Sequence, residues 1–160
     1  MADGENVHSP GKSTTAGILT AWRDGCPQLL KLWPEKKVQK WAGLTFAEAP
    51  DEHVLLKIHL PGQGLTRLPK ELGEIKSLGY LNLRDNKLTS LPPSLGDFSW
   101  LTFLNLERNI LTHIPPEMGK LDRLKTLHLG GNPWRFRDPL PDEWKPQGDM
   151  RTNGGCDFRR

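Results

Sequence analysis

The amino-acid sequence predicts an α/β fold: a short curved solenoid of about four repeats, with parallel strands on its concave face and a helical cap at its N-terminal end. Three observations predict it. Apolar residues recur with a period of 23, in units starting at Leu55, Leu78, Leu101 and Leu124. Inside a unit they follow neither a 3.6-residue helical period nor strict alternation, so each unit must change conformation partway. Five of the six tryptophans, Trp22, Trp33, Trp41, Trp134 and Trp144, lie outside the clean repeats or at their last edge, where a stack of units needs its apolar ends covered.

In chain order, residues 1–13 are expected to be a disordered leader that ends near a Ser or Thr helix cap. A cap then spans 14–54. Ile18, Trp22, Cys26, Leu29, Leu30 and Trp33 recur at helix-like spacing, while Gly25 and Pro27 divide the segment into two short helices, with Pro27 at a favoured first position. The stretch "KWAGLTF" followed by "EAPDEH" predicts a hairpin-like lead-in to the first repeat strand.

The repeats divide as 55–77, 78–100, 101–123 and 124–137. Apolar offsets 0, 3, 5, 10 and 13 are filled by Leu55, Ile58, Leu60, Leu65 and Leu68 in the first unit and by leucines throughout the second. The third has Leu101, Leu104, Leu106, Leu111 and Ile114; the fourth begins Leu124, Leu127, Leu129 and then breaks. The L-x-L core of a unit reads as a strand whose leucines point inward. Asn86, Asn109 and Asn132 share the position after it, where a buried amide can satisfy backbone groups of the turning chain; Gln63 stands there in the first unit and predicts an irregular turn. "LPKELGEI", "LPPSLGDF" and "IPPEMGKL" then suit a short helical turn packed under the strand. Residues 138–160 are expected to form an extended cap to about residue 146 and a mobile tail.

This L-x-x-L-x-L-x-x-N-x-L pattern resembles the leucine-rich repeat. The "LP" and "L-G-x-L" signatures are similar to the 23-residue intracellular repeats of Ras-pathway scaffolds and Ras-group-related plant proteins. Trp41, Gly43 and Leu44 resemble the Trp-x-Gly-Val/Leu segment of the plant-type N-terminal cap, with Lys40 and Phe46 where that cap carries cysteines. "LGGNPWRF" is similar to the close of the last repeat in many family members. The resemblance implies a non-catalytic protein-interaction module, acting in signalling or complex assembly.

Composition narrows the function classes. A chain of 160 residues holds one domain with a real core. Basic residues outnumber acidic ones 22 to 19, and the charge is −1 over 1–54, +5 over 55–137 and −1 over 138–160, so no arm or tail forms a nucleic-acid footprint. The two cysteines, Cys26 and Cys156, make no disulfide framework or metal-ligand spacing, which predicts a reducing compartment. The N-terminal stretch lacks a signal-peptide apolar run and no segment approaches membrane-spanning length; a cytoplasmic monomer without a membrane partner is expected, with weak self-association as the alternative.

No cofactor, metal or catalytic residue is predicted. "GKST" at 11–14 lacks the Gly that a phosphate loop needs five residues earlier, where Asn6 stands, and no apolar strand precedes it. His59 and His128 are separated by two units, roughly 15 Å at ~5 Å per strand, too far to share a metal. The concave face carries the functional expectation. Outward offsets 2, 4, 6 and 7 hold Lys57, His59, Pro61 and Gly62; Tyr80, Asn82, Arg84 and Asp85; Phe103, Asn105, Glu107 and Arg108; Thr126, His128, Gly130 and Gly131. Tyr80 and Phe103 become neighbours beside an asparagine ladder and a row of mixed charge, the composition of a protein-binding hot spot. The alternative is a structural subunit that completes another assembly through its repeat edges.

Overall fold

The computed structural model describes residues 14–34, 37–48 and 53–134. The leader through Ser13, Trp144, Cys156 and the segment expected to form the C-terminal cap and tail lie outside the described residues.

Two short helices open the fold, α1 (Thr15–Asp24) and α2 (Pro27–Leu32). The Thr14 hydroxyl accepts from the Gly17 N–H at 3.1 Å and caps α1. Gly25 ends it, donating to the Ala21 carbonyl at 3.0 Å, and Pro27 starts α2 where its missing N–H is not needed. Ile18, Leu19, Trp22, Leu29 and Trp33 are buried. Leu30 is not: it is 45% exposed, because Leu29 and Trp33, four apart, take the inner face of so short a helix and turn their neighbour outward.

A 3-10 turn (Val38–Lys40) leads into β1 (Leu44–Glu48), which pairs antiparallel with β2 (His53–His59) as the expected hairpin. Trp33 stacks on Trp41 with centroids 4.6 Å apart, meets Trp22 edge-on at 5.9 Å and donates from Nε1 to the Ala42 carbonyl at 2.8 Å. Gly43 is required where it stands. Its φ is 83°, its carbonyl accepts from the His59 N–H at 2.7 Å, and a Cβ there would overlap the His59 backbone.

From β2 the sheet continues in parallel, through β3 (Tyr80–Asn82), β4 (Phe103–Asn105) and β5 (Thr126–His128), in the order β1-β2-β3-β4-β5. Between strands run 3-10 turns at Lys70–Glu74, Pro93–Asp97 and Pro116–Lys120, stacked on one another along the opposite side. Gly73 and Gly96 permit that stacking: a Cβ on either would overlap the carbonyl oxygen of Ser94 or Glu117 in the next turn. Offsets 0 and 3 both point inward, which a simple strand cannot do. In β2 the conflict is resolved at Leu56, the extra residue of a bulge where pairing passes from Lys57 to Leu55, and Leu56 is 41% exposed as a result.

The cap and the repeats share one core, in which Leu55, Ile58, Leu81, Leu83, Leu104, Leu106 and Leu127 are fully buried. The deep asparagines tie one unit to the next. Asn109 Nδ2 donates to the Leu106 carbonyl of its own unit and to the Leu83 carbonyl of the preceding one, both at 3.0 Å, while its Oδ1 accepts from the Leu88 N–H at 3.0 Å. Asn86 and Asn132 repeat the pattern toward Leu60 and Leu65, and toward Leu106 and Leu111. Gln63 has no earlier repeat to bridge. Its Nε2 donates to the nearby Pro61 carbonyl at 2.8 Å, and the irregular turn around it uses Gly62 and Gly64 at φ 68° and 70°.

Candidate functional site

Strand register aligns the concave face in rows. Lys57, Tyr80, Phe103 and Thr126 are successive partners across β2 to β5, and so are His59, Asn82, Asn105 and His128. Neighbouring strands lie about 4.8 Å apart, close to the centroid separation of two stacked rings. Tyr80 and Phe103 therefore stand face to face, centroids 4.3 Å apart and planes within 3°. His59 lies 6.3 Å from Tyr80 and His128 5.5 Å from Phe103, both tilted, so four rings follow one another across the sheet. The Lys57 ammonium sits 4.3 Å from the Tyr80 ring centroid.

Asn82 and Asn105 depart from the expected outward exposure: both are buried, at 8% and 7%. Each closes the turn that ends its strand. Asn82 Oδ1 accepts from the Arg84 N–H at 3.1 Å and Asn105 Oδ1 from the Glu107 N–H at 2.9 Å. Tyr80 leans along its strand until its hydroxyl accepts from Asn82 Nδ2 at 3.5 Å. The asparagines brace the face from beneath, and the rings and the following charges are what it presents.

Those charges form a network over the two central units that reaches His128 in the fourth. Arg84 reaches Asp85 at 3.0 Å and Glu107 at 3.5 Å; Arg108 reaches Asp85 at 3.8 Å; His128 Nδ1 is 3.9 Å from Glu107. Exposed pairs of this kind add little stability. Their backbone costs some, because Asp85 and Arg108 occupy the left-handed region at φ 55° and 52°. The same offset holds Gly62 and Gly131, at φ 68° and 73°, in the flanking units. The sequence does not show this backbone bend at Asp85 and Arg108 directly; the two glycines at offset 7 of the flanking units are its signal.

Among the described residues no three His, Cys, Asp or Glu side chains gather as a metal site, and no helix is long and apolar enough to cross a membrane. Trp100, the tryptophan inside the repeats, is 54% exposed at the turn before β4, with the Arg123 guanidinium 3.7 Å from its ring centroid.

Comparison with known proteins agrees with this geometry. The family described as Leucine Rich Repeat matches residues 77–98, which include β3 with Tyr80, Arg84 and Asp85. No curated protein matches the chain. Among solved structures, the BIR2 ectodomain of Arabidopsis thaliana is 24% identical over 78% of this chain and 70% of its own, with a TM-score of 0.66. A leucine-rich repeat protein of Leptospira interrogans is 35% identical over 56% of this chain, with a TM-score of 0.50; the match spans 24% of its length. The LRR ectodomain of the receptor kinase SOBIR1 from Arabidopsis thaliana is 18% identical over 68% of this chain and 79% of its own, with a TM-score of 0.50. With its 23-residue period, bridging asparagines and parallel concave strands, the chain carries a leucine-rich repeat and folds as a leucine-rich repeat solenoid.

Proposed function

We propose that this chain is a non-catalytic interaction module that docks a protein partner on its concave face, as a cytoplasmic signalling adaptor or scaffold. The reading rests above all on Asp85 and Arg108. A left-handed backbone position is cheapest with glycine, which the flanking units use, yet the two central units place charged side chains there, next to the stacked Tyr80 and Phe103. Stability gives no reason for that choice; presenting a patterned surface does. The rings alone would be weaker support, since aromatic cross-strand pairs also stabilise sheets. The 23-residue spacing and the absence of cysteines at Lys40 and Phe46 support the intracellular setting.

The experiment is capture of partners from a native extract by the full chain and by the double variant Tyr80→Ala, Phe103→Ala. A protein retained by the first should be identified, made pure and titrated against both. The double variant should lose on the order of 2 kcal/mol or more of binding while its thermal unfolding stays cooperative. Native affinity in a folded double variant would place the interaction elsewhere.

A further inference from the structure

We infer that the concave face selects an extended acidic segment of its partner; this rests on the docking reading above and adds the partner's chemistry. The argument begins with what the rings leave available. One face of Tyr80 is covered by Phe103 and its ring also carries the Lys57 ammonium at 4.3 Å, while Phe103 is stacked on Tyr80 with His128 at 5.5 Å. The electron-rich ring faces, which would attract a cation, are spent inside the row. Parallel rings standing on a sheet offer their upper edges, and aromatic edges carry the positive end of the ring quadrupole.

The surrounding charges point the same way. Both carboxylates of the network are matched internally, Asp85 by Arg84 and Arg108 and Glu107 by Arg84. Lys57 has no ion pair among the described residues, and it lies at one end of the ring row beside His59, with His128 at the other end. The Tyr80 hydroxyl accepts from Asn82 and keeps its own proton to donate. Ring edges, an unmatched ammonium and a hydroxyl donor complement carboxylates and carbonyl oxygens and repel a basic segment. The four rings span a distance that about five residues of extended chain would cover, so a strand-like segment crossing β2 to β5 can use the whole row.

The test uses two blocked pentapeptides, Glu-Glu-Leu-Glu-Glu and Lys-Lys-Leu-Lys-Lys, titrated into the full chain while the ring resonances of Tyr80, Phe103, His59 and His128 are followed by NMR. The acidic peptide is expected to shift all four with an apparent Kd at least tenfold below that of the basic peptide. Lys57→Glu should weaken it at least tenfold, and 0.5 M salt should weaken it further, as screening requires. Equal binding of the two peptides, no binding of the acidic one, or shifts confined to other residues would overturn the inference. The docking reading has its own criterion: it stands or falls on whether Tyr80→Ala with Phe103→Ala releases the identified partner, whatever the peptides do.

Discussion

The two central units, 78–100 and 101–123, and the flanking units on either side of them all bury apolar residues at offsets 0, 3 and 5 but differ on the surface. At offset 7 the flanking units have Gly62 and Gly131, and the central ones have Asp85 and Arg108 in the same left-handed backbone. At offset 2 the flanking strands carry Lys57 and Thr126, and the central ones a stacked tyrosine and phenylalanine. Where every unit agrees, the residue serves the stack. Where the centre departs from the flanks at some conformational cost, the departure needs a reason outside the stack, and recognition of a partner supplies one.

The comparison is broken most severely by attacking what all units share. Asn109→Ala removes three donated hydrogen bonds and one accepted one, two of the four reaching the preceding unit. A loss of about 3 kcal/mol is expected, since several buried backbone groups are stranded at once. Chemical denaturation checks it, and a midpoint equal to the native one would mean that the asparagine ladder does not join the units.

Asn82→Ala comes next. The sequence puts this residue on the outward side, where the substitution should do little; its Oδ1 instead accepts from the Arg84 N–H beneath the Tyr80 hydroxyl. A cost of about 1 kcal/mol is expected, together with weaker partner binding, because Arg84 and Tyr80 lose their brace. Stability and binding both unchanged would return Asn82 to the role of a plain surface residue.

These two asparagines show what a period in the sequence can and cannot reveal. Offsets 3 and 5 fix which side of a strand faces the core, so the leucines, the deep amides and the parallel sheet were legible, as were the two cap helices divided at Gly25 and the neighbourhood of Tyr80 and Phe103. Alternation says only that Asn82 leaves the core side. Whether it ends up exposed depends on the ring two residues earlier and on the turn two residues later, and neither obeys the period. The same limit hid Leu56, whose exposure comes from a bulge, and Gly73 and Gly96, whose purpose is the contact between successive 3-10 turns. A glycine in one unit reveals its reason only when the neighbouring unit is set against it.

The smallest effect on stability carries the most information about function. Replacing Asp85 and Arg108 together by glycine gives the central units the backbone chemistry of the flanking ones. It removes two exposed ion pairs of little energetic value, Asp85 with Arg84 and with Arg108, and relieves two left-handed non-glycine residues. A gain of about 1 kcal/mol is expected, or a rise of about 4 °C in Tm. On the same sample, affinity for the identified partner should fall at least tenfold. A variant that is more stable and binds worse is the outcome this account predicts; one that is less stable, or that binds its partner as well as the native chain does, would contradict it.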